Sequence, residues 1–176
     1  AFLLNRSSDL PPIQIKEGPV SFDRAFNIVV GIEGGYSNDP HDPGGETKYG
    51  LSKRSYPLLD IPSLTREDAK KIYRRDYWER IKGDALPWPL SCFVFDMAVN
   101  QGVSPAIRAL QQTLSVIDDG VIGPQTLTAA RSLPLTETCP LYLAMRGVRY
   151  ASTIGFNRYG KGWLKRLFTL VWEISN

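Results

Sequence analysis

Glu33 is set apart by the residues around it. Phe22, Phe26, Val29, Val30 and Glu33 follow helical spacing, with the carboxylate at the C-terminal end of the apolar stripe. An apolar face desolvates a carboxylate and raises its pKa. The partial negative charge at a helix C-terminus pushes the same way. An acid that stays protonated near neutral pH can serve as a general acid. A Glu at a stripe edge can also turn into solvent or pair with Lys or Arg, and taken alone that reading is the stronger.

The following residues change the balance. Asp42 comes nine residues after Glu33, and Thr47 five after that, within a Gly- and Pro-rich stretch from 34 to 50. Glycosidases bracket the scissile bond with an acid and a second carboxylate acting as base or nucleophile. Glycines let backbone approach a polymer closely. Tyr36 and Tyr49 can stack on sugar rings or pack in a core, and His41 can hydrogen-bond substrate or stay solvated. Asp39, Asp42 and Glu46 lack EF-hand spacing. One His and two Cys do not build a closed zinc site of the common kinds. No metal or cofactor is expected.

Positioning these groups requires helices. Ser21 is a plausible N-cap for a first helix that should stop at Gly34-Gly35. The stretch 34–50 reads as an ordered loop or short hairpin. Thr65-Arg66-Glu67-Asp68 approximates a capping box opening a helix to about Ile81. The segment 90–101 is apolar nearly all round, which suggests a central buried helix. Asp96 and Asn100, four apart on it, either face a cleft or form a buried polar pair. Ser104-Pro105 should open a helix to about Val116, and Gly123-Pro124 one to about Leu133. Two more are expected at about 141–154 and 161–174. The fold class is mainly α, with 1–20 as an extended arm. Arg74-Arg75 and Lys165-Arg166 read as solvated faces.

Composition agrees with one globular domain. The chain has 176 residues, 43% hydrophobic and 22% charged, which excludes disorder, collagen and coiled coil. The net charge of +3 suits an anionic polymer but is too small to argue for nucleic acid. The apolar runs at 92–95 and 167–171 are too short to span a bilayer. The chain starts Ala1-Phe2-Leu3-Leu4 without Met, which reads as a cut point that leaves room for an upstream signal or membrane tether. Cys92 and Cys139 allow one disulfide in an oxidising compartment, but two buried free thiols are favoured.

Glu33-Gly34-Gly35-Tyr36, followed by Asp39-Pro40 and then Asp42-Pro43-Gly44-Gly45-Glu46-Thr47-Lys48-Tyr49-Gly50, resembles the signature of the N-acetylmuramidases of glycoside hydrolase family 108. The family includes phage endolysins and bacterial muramidases used in toxin release. The resemblance places the catalytic Glu at Glu33. The spacing also resembles the Glu, Asp and Thr triad of phage-type lysozymes, except that Thr stands five residues after Asp here rather than six. Asn100-Gln101-Gly102, Ala109-Leu110-Gln111-Gln112 and the stretch 119–127 resemble the peptidoglycan-binding segment that accompanies this family. Asp-Gly as a turn and Gly-Pro as a helix start explain 119–127 equally well.

The resemblance implies a lysozyme-like fold over 21–176, with 21–100 catalytic and 101–176 a peptidoglycan-binding part packed with it. It implies cleavage of the MurNAc–GlcNAc β-1,4 bond in peptidoglycan glycan strands, with Glu33 as acid. Asp42, helped by Thr47, would direct a water, and Tyr36, His41, Tyr49, Asn100 and Gln101 would bind substrate. An inverting pair should hold the Glu33 and Asp42 carboxyls roughly 6.5–9.5 Å apart, and this wider spacing is expected. The chain is expected to act as a monomer on the bacterial wall, in the periplasm or exported, as a phage endolysin or a bacterial enzyme. A lytic transglycosylase using Glu33 alone and a non-catalytic wall-binding module are the alternatives.

Overall fold

The computed structural model describes residues 19, 21–31, 35–38 and 44–175. Glu33, His41, Asp42, the Glu33–Asp42 separation and all of the arm except Pro19 therefore lie outside the described residues. The described chain is mainly helical, in keeping with a lysozyme-like fold.

Helix α1 spans Phe22–Val30, and the Ser21 side chain accepts the Arg24 N–H at 3.2 Å as its N-cap. It ends earlier than its apolar stripe suggests. Gly31 takes φ 76° and caps the helix, its N–H donating to Asn27 O. The first glycine able to adopt the left-handed conformation ends the helix, so the expected run to Gly34-Gly35 is corrected.

Strands β1 (Thr47–Lys48) and β2 (Leu51–Ser52) form a hairpin with Thr47 opposite Ser52. Its two turn residues, Tyr49 at φ 51° and Gly50 at φ 76°, both have positive φ, as a type I′ turn requires. Helix α2 (Arg66–Tyr73) carries the full Thr65–Asp68 capping box. It runs into a π-helical turn, Arg74–Trp78, and helical winding ends there, short of the expected Ile81.

Helix α3 (Leu90–Gln101) is the axis of the molecule, and Leu90 through Ala98 are all buried. Gly102 alone, at φ 95°, joins it to α4 (Val103–Thr113). Helix α4 thus starts before the expected Ser104-Pro105, because the glycine bend already breaks the chain. Helix α5 (Pro124–Ser132) begins with Pro at N1, as expected. Helix α6 (Leu135–Ala151) starts six residues earlier than expected and carries Pro140 inside. Helix α7 (Phe156–Ser175) also starts early.

The core is continuous from Phe22 on α1 to Ile174 on α7. Phe22 sits 5.5 Å from Trp78 and 5.9 Å from Phe95, ring centre to ring centre, and Phe26 sits 5.6 Å from Tyr73. These contacts fix the stripe of α1 against α2 and α3. Each large apolar side chain so buried contributes about 1.5–3 kcal/mol. Cys92 and Cys139 are free buried thiols, the favoured expectation. No helix among the described residues is long and apolar enough to cross a membrane.

Candidate active site

Two arginines hold the C-terminal end of α1, three residues before Glu33. Arg66 on α2 donates from Nη1 to Gly31 O at 2.8 Å and from Nη2 to Asn27 Oδ1 at 2.8 Å. Its guanidinium also lies 5.0 Å from the centre of the Phe26 ring. Arg166 on α7 donates from Nη2 to Val29 O at 3.1 Å. The last carbonyls of a helix lack intrahelical partners, and cations there also suit the helix dipole. Chain exit towards Glu33 is therefore anchored by α2 and α7.

Arg166 is itself held by Asp96 of α3, with Nη2 and Nε donating to Oδ1 at 2.6 and 3.1 Å. The other oxygen, Oδ2, pairs with Arg146 Nη1 of α6 at 2.5 Å. Asp96 is 1% exposed and Arg146 0%. Arg146 donates further to the Tyr150 hydroxyl, from Nη2 at 2.7 Å and Nε at 3.2 Å. A buried carboxylate is tolerable only with such partners. Asp96 thus ties α3, α6 and α7 together and, through Arg166, steadies the end of α1. The solvated-face reading is wrong for Arg166, whose partners lie far away in sequence.

On the loop side, Ser37 and Thr47 exchange backbone hydrogen bonds at 2.8 Å in both directions. This bridge pairs the described segments that precede and follow Asp42 in the sequence. Tyr36 donates its hydroxyl to Glu46 Oε1 at 2.7 Å, which raises the Tyr36 pKa, and the residue is 46% exposed. Thr47 Oγ1 donates to Gly45 O at 3.1 Å, leaving its lone pairs as acceptors. Tyr49 packs partly buried against the core, and its carbonyl accepts the Tyr73 hydroxyl at 3.0 Å.

Asn100 and Gln101 lie at the C-terminal end of α3. Asn100 Nδ2 donates to the Asp96 carbonyl at 2.7 Å, while Gln101 Oε1 is buried without a hydrogen-bond partner. Both line a cleft with Arg149, Tyr150, Trp163 and Arg166. Arg166 borders this cleft and a second one against Ile28 and Val29. Among the described residues no three His, Cys, Asp or Glu side chains gather closely enough to hold a metal ion.

The turn after α4 has a clear internal support. Buried Gln111 accepts the Gly120 N–H at 2.8 Å and donates to Asp119 Oδ1 at 2.7 Å and Val121 O at 3.0 Å. Arg108 donates to the carbonyls of Asp118 and Asp119. The Asp119 carboxylate also accepts the Val121 N–H at 2.9 Å. These bonds hold its pKa below the usual range, the Val121 N–H having the largest effect. The Asp-Gly stretch is a braced turn.

The family model of glycosyl hydrolase 108 matches residues 26–102. The fold is similar to that of Brucella abortus SagA, with a TM-score of 0.77 and 30% sequence identity over 87% of this chain and 92% of that one. No curated protein matches the chain.

Proposed function

The chain belongs to the glycosyl hydrolase 108 family, peptidoglycan hydrolases of the N-acetylmuramidase type, and from that premise we propose that Glu33 is the general acid of the reaction. The observation that carries this reading is the anchored end of α1. Arg66 and Arg166 fix Gly31 O and Val29 O, and the Ser37–Thr47 bridge fixes the chain on the far side of Glu33. A proton donor has to be held within hydrogen-bond reach of the leaving oxygen, and anchors on both flanks serve that end.

In this reading Glu33 protonates the glycosidic oxygen between MurNAc and GlcNAc. Asp42, between Ser37 and Thr47 in the sequence, directs or deprotonates the attacking water on the other face of the sugar. Thr47 offers its hydroxyl lone pairs to that water, since its proton is already given to Gly45 O. Tyr36, His41 and Tyr49 contact the sugar from the hairpin side, with Asn100 and Gln101 at the end of α3. Residues 21–176 work as one unit, a monomer acting on the wall from the periplasm or after export.

The test is mass spectrometry of fragments released from purified walls. The expected products carry one added water at a MurNAc reducing end, and Glu33→Gln, folded by circular dichroism, releases none. Anhydro products would transfer the site to a lytic transglycosylase using Glu33 alone. Full activity in Glu33→Gln would remove Glu33 from the acid role.

A further inference from the structure

Helix α7 turns towards solvent a face that the core does not use. Its side chains Leu167, Leu170 and Ile174 are buried. On another side of the helix, Phe168 is 70% exposed and Trp172 67%. These two stand four residues apart, so they are neighbours on the helix surface. Lys161 and Lys165, both exposed, precede Phe168 and Trp172 by seven residues, about two helical turns, and therefore share the stripe.

The stripe is cationic towards the start of the helix and aromatic towards its end. Neither lysine makes an ion pair among the described residues. Helix α7 holds one acidic residue, Glu173, against Arg158, Lys161, Lys165 and Arg166, and of these Arg166 is neutralised by Asp96. The two rings form a ridge. A cleft on one flank is lined by Lys165, Thr169 and Glu173, another on the opposite flank by Val171 and Ser175, and neither ring lines either of them. A convex, cationic and aromatic ridge fits a broad anionic surface rather than an inserted peptide. A second copy of the chain would bring to it only another stripe of the same charge.

We propose that this face of α7 docks the folded domain on an anionic phospholipid bilayer. The Phe168 and Trp172 rings enter the headgroup region, where aromatic side chains gather and an indole keeps its N–H in a polar layer. Lys161 and Lys165 lay their stems along the same surface and bring their ammonium groups to the lipid phosphates. The contact is peripheral, because the other side of α7 is held in the core and no described helix is long and apolar enough to cross a membrane. Arg166 of the same helix holds Val29 O at the end of α1. Docking therefore sets how that end of α1 faces the bilayer. The inference goes beyond the muramidase reading and does not depend on it.

Two binding measurements test it, and neither needs catalysis. The first sediments the full chain with vesicles of phosphatidylglycerol mixed into phosphatidylcholine, and with vesicles of phosphatidylcholine alone. Binding to the anionic vesicles is expected, with little to the zwitterionic ones. The pair Lys161→Gln with Lys165→Gln should weaken it about thirtyfold, at about fivefold for each cation, and Phe168→Ser about tenfold. All three positions are exposed, so the variants should keep the fold, which circular dichroism checks. The second follows quenching of tryptophan fluorescence by bromine-labelled lipid chains in the anionic vesicles. Trp78 and Trp88 are buried, so the quenching should be largely lost in Trp172→Phe while sedimentation persists. No binding to anionic vesicles, binding that all the variants retain, or quenching unchanged in Trp172→Phe would overturn the proposal. A dimer in analytical ultracentrifugation that Phe168→Ser dissolves would give the face to a second copy and overturn it as well.

Discussion

Arg166, near the middle of α7, donates to the carbonyl of Val29 in the last turn of α1 at 3.1 Å, across 137 residues of sequence. The same guanidinium is gripped by buried Asp96. The end of the chain is thereby wired to the turn that leads to Glu33. Removing Arg166 leaves Val29 O without this donor and Asp96 with Arg146 and the Asn100 amide alone.

Arg166→Ala is expected to lower kcat more than it raises KM, because the loss falls on the placement of Glu33. A misplacement of about 1 Å in an active site costs on the order of 10²-fold in rate. Arg166→Lys, which keeps the charge but not the fork, should recover only part of it. Steady-state kinetics on solubilised glycan strands separate the two parameters. A KM-only effect would show that Arg166 merely binds substrate.

Asp96→Asn should be among the most destabilising single changes. It leaves the fully buried Arg146 without its counter-charge, and breaking a buried pair in this way costs about 3–5 kcal/mol. The Tyr150 hydroxyl still accepts from Arg146, which limits the loss. Urea denaturation measures it, and the double change Asp96→Leu with Arg146→Met should regain part of the stability. A midpoint unchanged in Asp96→Asn would mean the triad is no keystone.

Much of this fold is written in local signals. The Ser21 cap, the Thr65–Asp68 capping box, the apolar 90–101 helix and the Gly123-Pro124 start are each written within a few residues, and each is found. The failures share a different cause. Whether α1 stops at Gly31 or at Gly34 depends on which glycine tertiary anchors hold in the left-handed conformation, and Arg66 and Arg166 come from 35 and 137 residues away. Helix α6 tolerates Pro140 and starts early because its neighbours in the core fix it, a packing effect that outweighs propensity. Arg166 looked like surface because its partner Asp96 stands 70 residues earlier. Tyr36, Thr47 and Tyr49 are brought together by the hairpin and the Ser37 bridge, and the Gly-rich stretch did announce that turn.

Gly83→Ala tests the packing under the π-helical turn. A Cβ there would lie 2.4 Å from the Trp78 indole, which is fully buried and donates Nε1–H to Asp84 Oδ1 at 2.8 Å. The rigid ring has to move, and overpacking of this kind costs about 1–3 kcal/mol. A lowered melting temperature with a changed Trp fluorescence spectrum is expected. A wild-type spectrum and melting temperature would mean the turn relaxes freely.

The two thiols make the last prediction. Cys92 and Cys139 are unpaired and both 0% exposed. Burial pushes Cys139 from its ordinary 9.0 up to about 12. Burial also raises Cys92, and the negative charge of Asp96 adds to the rise. Thiolate is the reactive form, so neither Cys should react with a thiol-directed disulfide reagent at pH 8 while the chain is folded. Two equivalents should react in denaturant. The same shift links stability to pH. Folding holds the Cys139 thiol protonated, whereas the unfolded chain ionises it above about pH 9. Stability is therefore whole below pH 9 and falls as pH rises towards about 12, by up to about 1.4 kcal/mol per pH unit for one such group. Cys139→Ala loses some packing at every pH, but its urea midpoint should fall less steeply across that window than the wild type's. Identical slopes in the two proteins, or rapid labelling of the folded wild type, would show that the Cys139 thiol is not shielded from water.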